Sequence, residues 1–316
     1  MSVSTRHVLA QGPVLAALGR AALAELRARL PIPARHAHGA NGGSGTPRRH
    51  APGAEAPGPW IERELPPRPE ALVRDYVRNV GGDPAWYRGR VPAHLFPQWA
   101  FPLAARAIAP LPYPLARVMN AGCRIEQRAP LPAGEPLRVR ARLESVDDDG
   151  RRAILVQRIE TGTRSSPDAL VAEMRAYVPL GKGAGKSASK DRPGVPPGAR
   201  ELAFSSVAAD AGLDFAKLTG DANPIHWLAP YARAAGFRAC ILHGFGTLAR
   251  AVEALNRARF AGDPARLAAI DVRFTRPLVL PARVGVYVEG DRIWVGDAPG
   301  GGAYLEGRFE TEGAGS

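Results

Sequence analysis

The feature that most constrains the fold is a repeated order of predicted elements on either side of one linker. A Gly-, Pro- and Ala-rich stretch, residues 181–199, divides the chain beyond residue 65 almost evenly. On each side, a helical pattern and a stretch similar to Arg-Pro-Leu-Pro precede strands with alternating apolar residues. A linker at this place predicts two domains of about 120 residues, which is a common domain size.

The two halves predict the same elements. The first has a helical pattern over residues 101–109 and a strand pattern over 136–145, followed by "AILVQRIE" and "LVAEMRAYVPL". The second has a longer helical pattern over 246–260 and a strand pattern over 282–290, followed by "RIWV" and "AYLEGRFE". The residues predicted to face the core are Leu137, Val139, Ala141 and Leu143, then Leu248, Val252, Leu255, Val284, Val286 and Val288. Since a lone helix needs a sheet to cover its apolar face, the halves predict an α+β fold in which two helix-and-sheet units pair sheet to sheet.

The first 65 residues read as an arm that is disordered or partly helical. Residues 31–60 are mostly Pro, Gly, Ala and Arg, which cannot build a packed core, so we expect the arm before residue 60 to be dispensable for chemistry. Residues 14–30 have the Ala and Leu spacing of a short amphipathic helix. Its charges, Arg20, Glu25, Arg27 and Arg29, make it too polar for a membrane span and a poor signal peptide, so a cytoplasmic protein is expected.

The formal net charge of +12 does not by itself indicate a nucleic-acid ligand. Four of the 42 basic residues are lysines and the rest are arginines scattered through an Ala-, Gly- and Pro-rich chain. Neither zinc-finger spacing nor aromatics interleaved with basic residues occur, so no nucleic-acid partner is predicted. Cys123 and Cys240 lie far apart and are predicted to be free buried thiols.

The stretch "LTGDANPIH", residues 218–226, concentrates polar groups at a predicted helix start. Asn223 is a favoured helix cap and Pro224 suits the first helical position, so a short helix is expected from there to Gly236. Asp221 and His226 would then converge above the helix start. The alternative is that Asp221 only makes an Asx-turn and His226 is a surface residue.

A second polar stretch precedes the longer helix. In "ILHGFGTLARAVEAL", His243 and Gly244 stand where unpaired helical N–H groups favour negative charge, and Gly244 permits close approach because it has no side chain. A plain glycine-containing turn is the alternative. A zinc site built from Asp221, His226 and His243 is not predicted, because no close ligand pair at helical spacing supports it.

These residues resemble a known family. "FAKLTGDANPIHWLAPYARAAGF", then "ILHGFGTLARAV" and "VRFTRPLVLPARV", resemble the MaoC-like dehydratases, the R-specific enoyl-CoA hydratases of the hot dog fold. The first half resembles the non-catalytic copy in their tandem, double hot dog members. The resemblance implies a double hot dog, two antiparallel sheets each wrapping a helix, with a non-catalytic domain at 66–180, the linker at 181–199 and a catalytic domain at 200–316.

The resemblance also implies the chemistry, a reversible syn addition of water to trans-2-enoyl thioesters. Asp221 and His226 match the family's acid–base pair, and the backbone N–H of Gly244 matches its oxyanion donor. The substrate-binding positions implied are Asn223, which orients the pair, with Pro224, His243 and Phe274. The expected partner is an enoyl or 3-hydroxyacyl thioester, with coenzyme A or an acyl carrier as part of the substrate and no separate cofactor or metal.

Two other functions stay open at the level of the sequence. Hot dog thioesterases share the fold, so an acyl-CoA thioesterase is one, and a non-catalytic thioester-binding subunit is the other. The Gly-Asp-x-Asn-Pro-x-His string occurs in the second half alone, so the first half is expected to lack activity and to contribute to the acyl tunnel. A homodimer is one oligomeric state that this interpretation allows.

Overall fold

This computed structural model describes residues 3–11, 56–114, 118–180 and 193–312. These residues contain ten strands and five α-helices. The strands are β1 (Ile61–Leu65), β2 (Met119–Gln127), β3 (Leu137–Asp148), β4 (Arg152–Gly162), β5 (Leu170–Pro179), β6 (Arg200–Val207), β7 (Leu267–Phe274), β8 (Ala282–Glu289), β9 (Arg292–Gly296) and β10 (Ala303–Thr311). The α-helices are α1 (Glu70–Asn79), α2 (Pro97–Ile108), α3 (Ala211–Thr219), α4 (Ala229–Ala234) and α5 (Gly244–Ala258).

All ten strands belong to one antiparallel sheet. Its order is β1-β3-β4-β5-β2-β7-β10-β9-β8-β6, so both halves have the same internal topology and meet at β2 and β7. Across this central pair, Cys123 lies opposite Val272 and Ile125 opposite Ile270, and all four are buried. The two predicted sheets are therefore joined edge to edge rather than stacked face to face.

The predicted core positions lie inside. In β3 the alternation of Leu137, Val139, Ala141 and Leu143 is confirmed, and all four are buried. The predicted faces of α5 and β8 are confirmed as well, with buried Leu248, Val252, Leu255, Val284, Val286 and Val288. Helix α2 packs on β1, β3 and β4, whereas α5 packs on β6, β7, β9 and β10, so each half has one helix on its own part of the sheet.

A buried polar cluster joins the halves on the helical side of the sheet. Glu253 of α5 is 1% exposed, accepts a hydrogen bond from Tyr87 at 2.9 Å and lies 3.0 Å from His94 Nε2. Asn256 donates to the Tyr87 hydroxyl at 2.8 Å, and the Tyr76 hydroxyl lies 3.0 Å from His94 Nδ1. These contacts compensate the cost of burying the carboxylate and fix α5 against the first half.

Two predicted boundaries need correction. Residues 61–65, assigned to the arm, form strand β1, which pairs with β3 at the edge of the sheet. The strand escapes a hydrophobic-pattern search because residues 62–64 are charged and exposed, as is common on edge strands. The predicted helix over 14–30 and residues 31–55 lie outside the described residues, as do 181–192 of the linker.

Residues 193–199, also assigned to the linker, pack on the sheet. Val195 is 2% exposed and lies with Tyr287, Trp294 and Ala303 on the face of the sheet opposite the helices. Its N–H donates to the Gly301 carbonyl at 2.9 Å. Any linker therefore ends before residue 193, and the remaining domain boundaries stay predictions.

The two cysteines and the helices were also the subject of sequence-based predictions. Cys123 and Cys240 are buried free thiols, as predicted. Within the described ranges, the helices are too short or too polar to span a membrane.

Candidate active site

The first polar stretch begins where α3 ends. Gly220 has a left-handed backbone with φ 79° and donates its N–H to the Ala216 carbonyl at 2.8 Å, which closes the helix. Glycine takes this conformation without the steric cost that a Cβ would add. The Thr219 hydroxyl donates to the Phe215 carbonyl at 2.9 Å. The end of α3 thus fixes the direction in which the chain enters Asp221.

Asn223 caps a single 3₁₀ turn, Pro224–His226. Its side-chain oxygen accepts the Ile225 N–H at 3.2 Å, so the predicted cap is confirmed. The predicted continuous helix to Gly236 is wrong, because the chain is extended at Leu228 and helix α4 begins afresh at Ala229. Pro230 accounts for the break, since it has no N–H to donate to the His226 carbonyl, as a continuous helix would require.

His226 is held in a defined orientation. It is 8% exposed, so the alternative that it is a surface residue is wrong. Nδ1 lies 2.8 Å from the Ile241 carbonyl, and because a carbonyl can only accept, Nδ1 carries the hydrogen and Nε2 carries the lone pair. Burial lowers the pKa of His226, and the Asp221 charge and the Ile241 hydrogen bond oppose that shift only in part. At neutral pH the imidazole is therefore a neutral base.

His243 supports both members of the predicted pair. Its ring stacks on that of His226 with centroids 3.6 Å apart, and its Nε2 donates to the Asp221 backbone carbonyl at 2.9 Å. Burial, followed by the nearby His226, lowers the pKa of His243 to about 3. Its Nδ1 is buried without a hydrogen-bond partner among the described residues. His243 is neutral at physiological pH and adds no charge that would repel a proton on His226.

Asp221 completes a compact group. Its carboxylate, His226 and His243 each offer an atom within 4.8 Å of the others, and the Asp221 side chain is 21% exposed. Asp221 therefore faces solvent while both imidazoles lie behind it. The Asn223 N–H points to the Asp221 carboxylate at 3.5 Å, so Asn223 shapes the turn that carries the pair.

The same three side chains are a poor match for zinc. A metal ion lies in the plane of each imidazole that binds it, about 2.0–2.1 Å from the nitrogen. The rings of His226 and His243 are stacked at 25°, so their planes do not converge on one nearby point. His226 Nδ1 and His243 Nε2 also donate hydrogen bonds already. The expected absence of a metal stays a prediction, and ring stacking supports it.

Gly244 and Phe274 are in contact although they lie on different elements. Gly244 is the first residue of α5, and a Cβ placed on it would lie 2.8 Å from the Phe274 ring at the end of β7. The N-terminal N–H groups of this 15-residue helix point away from the helix and favour a partial negative charge. The structure thus brings the predicted oxyanion donor and the predicted lining residue to one place.

Three supporting residues were missed by sequence reasoning. Phe215 packs against His243 with ring centroids 4.8 Å apart, and Ile241 provides the carbonyl that orients His226. A Cβ on Gly212 of α3 would lie 1.9 Å from the His226 carbonyl oxygen, so that close approach requires glycine. The helix that contains Gly212 was itself not predicted from the sequence, so no signal pointed to this contact.

The chain is similar to proteins of a known family over the residues of this site. Residues 192–298 match the family model described as "MaoC like domain". The Mycobacterium tuberculosis protein "3-hydroxyacyl-thioester dehydratase X" is 30% identical over 238 residues, 73% of this chain and 80% of that protein. "Enoyl-CoA hydratase ChsH3" of the same organism is 30% identical over 186 residues, 57% of this chain and 64% of its own length.

Solved structures agree on the fold. The crystal structure of HtdX from Mycobacterium tuberculosis has a TM-score of 0.63 at 22% identity and covers 80% of this chain and 100% of its own. A conserved hypothetical protein of that organism, described as having a double hotdogfold, has a TM-score of 0.54 at 14% identity and covers 81% and 96%. The predicted α+β double hot dog is confirmed.

Proposed function

Because this chain belongs to the MaoC-like dehydratase family, we propose that it is an (R)-specific enoyl-CoA hydratase, a hydro-lyase that also runs the reverse dehydration of 3-hydroxyacyl thioesters. The names of its relatives support this activity, since one is an enoyl-CoA hydratase and another a 3-hydroxyacyl-thioester dehydratase. The substrate is an acyl thioester of coenzyme A or of a carrier protein.

One observation carries the proposal. A partly exposed carboxylate, Asp221, lies beside a neutral imidazole, His226, whose Nδ1 is fixed on a backbone carbonyl so that Nε2 is left with its lone pair. A water molecule between the two groups would find two acceptors for its hydrogens. Hydration needs such a pair, because the water must lose a proton as its oxygen bonds to C3.

The proton balance closes without any other reagent. Water supplies the hydroxyl that bonds to C3 and the proton that bonds to C2, while the electrons of the C2–C3 π bond pass through the enolate and form the new C2–H bond. Asp221 and His226 accept the proton from water and return one to C2, so the pair ends as it began. Because both groups lie on one side of the site, hydroxyl and proton add to the same face.

The remaining site residues have supporting roles. As C3 is attacked, negative charge builds on the thioester oxygen, and the N–H of Gly244 at the start of α5 stabilises it. Phe274, packed on Gly244, lines the thioester position. Asn223 and Pro224 hold the turn that presents the pair to the substrate, and His243 backs it. No organic cofactor or metal is needed for this acid–base chemistry.

The test is an assay of the purified chain with crotonyl-CoA and a longer trans-2-enoyl-CoA. We expect the absorbance of the conjugated enoyl thioester to fall and the product to be the (3R)-3-hydroxyacyl-CoA on chiral analysis. A thiol reagent run in parallel should detect no free coenzyme A. Release of thiol would identify a thioesterase instead, and tight binding without turnover would identify a thioester-binding subunit.

A further inference from the structure

The N-terminal segment of residues 3–8 is fastened to α3 although more than two hundred residues separate them. The Val3 N–H donates to Asp214 Oδ1 at 3.2 Å, and the Val3 carbonyl accepts from Lys217 Nζ at 3.1 Å. Lys217 also bonds Asp214 at 3.0 Å. The Asp214 and Lys217 side chains are 9% and 12% exposed, so these contacts are largely shielded from water. The attachment uses the main chain of Val3 and two side chains one turn apart on α3.

The same segment also holds α1, which belongs to the first half. His7 is 4% exposed and its Nε2 lies 2.8 Å from Asp75 Oδ2. Arg6 and Arg74 contact the same carboxylate, each at 3.3 Å. Within the segment His7 is the stronger anchor, because its contact with Asp75 is shorter than that of Arg6 and its side chain is buried, whereas that of Arg6 is exposed. The segment therefore ties a helix of one half to a helix of the other.

A row of aromatic rings connects the two helices to the candidate site. Tyr76 of α1 and Phe215 of α3 have ring centroids 6.0 Å apart, Phe215 and His243 4.8 Å, and His243 and His226 3.6 Å. Gly212 of α3 touches the His226 carbonyl as well. A shift of α3 would therefore move both imidazoles.

Helix α3 needs such external support. It has nine residues, which is too short to be stable on its own, so its position depends on what packs against it. One side of it faces Tyr76, His243 and His226, and the polar contacts of Val3 are made on Asp214 and Lys217. Without the segment, these two side chains would lose their contacts to Val3.

We propose that residues 3–8 form a brace that holds α3 against α1 and thereby positions Asp221 and His226 for catalysis. The inference rests on the proposed hydratase function. Val3, His7, Asp214 and Lys217 are positioning residues, because they reach the reacting atoms only through α3 and the turn after it. The proposal runs against the expectation, drawn from composition, that the arm before residue 60 is dispensable.

The test compares full-length variants. Asp214→Ala removes the acceptor of the Val3 N–H, and Asp214→Asn restores an acceptor oxygen. His7→Ala removes the contact of the segment with Asp75 of α1. Thr5→Ala changes an exposed residue of the same segment and is the matched control. We expect Asp214→Ala and His7→Ala to lower kcat about tenfold or more with a smaller change in KM, since small displacements of reacting groups are costly. Asp214→Asn should recover most of the loss, and Thr5→Ala should match the original chain.

Hydrogen exchange provides a readout that does not need activity. In Asp214→Ala and His7→Ala, amides of residues 220–228 should exchange faster, whereas amides of β4, in the first half of the sheet, should keep their protection. Unchanged kcat and unchanged exchange at 220–228 in both folded variants would overturn the brace, and so would a uniform loss of protection over the whole sheet. If the original chain hydrates no enoyl thioester, the proposed function fails, and the exchange measurement alone decides the brace.

Discussion

Among single residues, the two histidines have different surroundings. His226 has Nδ1 on a carbonyl and Nε2 without a hydrogen-bond partner among the described residues, whereas His243 is fully enclosed and donates to the Asp221 backbone; the proposed function therefore uses His226 as the base. Both have lowered pKa values, chiefly because burial disfavours the charged form. The site thus keeps a neutral imidazole stack behind a single carboxylate.

We expect Asp221→Asn and His226→Ala each to lower turnover by at least about a hundredfold, because general acid–base groups typically contribute 10²–10⁴-fold. Steady-state hydration of an enoyl-CoA measures the effect, with circular dichroism as the control for folding. Near-normal activity in either folded variant would remove that residue from the mechanism.

The lowered pKa of His243 predicts how the free energy of unfolding depends on pH. The folded pKa of His243 is about 3, well below the ordinary value of 6.5, so the unfolded chain binds the extra proton more readily. The contribution of His243 to the free energy of unfolding should therefore be complete above pH 6.5. It should decrease as the pH drops from 6.5 towards 3, by up to about 1.4 kcal/mol per pH unit for one such group. Urea unfolding at pH 7, 6, 5 and 4 measures this slope, and His243→Gln should flatten it. A slope that is the same in both proteins would contradict the assignment.

Among the secondary-structure elements, the start of α5 and the end of β7 lie in contact, and under the proposed function they receive the thioester. Their contact depends on Gly244, because any side chain there would occupy the space of the Phe274 ring. The second glycine of the helix, Gly246, is less confined, since a Cβ on it would lie 3.3 Å from Phe215 and 3.5 Å from Leu242. The two glycines therefore give a matched comparison on one helix.

We expect Gly244→Ala to reduce kcat/KM at least about tenfold, because the displaced Phe274 ring moves into the thioester position and the N–H loses its alignment. Gly246→Ala should keep activity within a few-fold at a similar melting temperature. Equal losses in the two variants would indicate a general disturbance of α5 rather than a role for Gly244 at the thioester oxygen.

At the scale of the whole molecule, the halves depend on each other through the sheet and through the helices. Across β2, Arg175 of β5 reaches Asp271 of β7 with two hydrogen bonds of 2.6 and 2.9 Å. On the helical side, Glu253 is buried among groups of the first half. Separation of the halves would therefore expose the edge of β7, an apolar surface and a carboxylate that has lost its partners from the first half.

We expect an isolated second half, residues 193–316, to aggregate or to pair with itself through the exposed edge of β7 and to lose activity on long acyl chains first. The fragment starts at residue 193 because Val195 covers the outer face of the sheet. Light scattering and enoyl-CoA assays with short and long chains provide the measurement. A monomeric fragment as active as the full chain on both substrates would show that the first half is only tethered to the second.

Local patterns follow from the amino-acid sequence alone. Alternation in β3 and β8, the apolar face of α5 and the Asn223 cap all follow from residues close together in the chain, and the resemblance carried by the polar string placed Asp221, His226 and Gly244 together. Strands β2 and β7 were not predicted, because "MNAGCRIEQ" and "LAAIDVRF" mix small, polar and apolar residues without a clear alternation. Their strand conformation is stabilised by their pairing with each other at the centre of the sheet.

Which distant groups support the site depends on how the chain folds back on itself. Four contacts show this: the stacking of His243 on His226, the Ile241 carbonyl on Nδ1, the approach of Gly212 to the His226 carbonyl, and the attachment of Val3 to α3. They join positions that are 14 to 214 residues apart. Propensity and periodicity report what a residue does with its near neighbours. Burial, pKa shifts and ring contacts depend on residues that are distant in the sequence, and the fold brings these residues together.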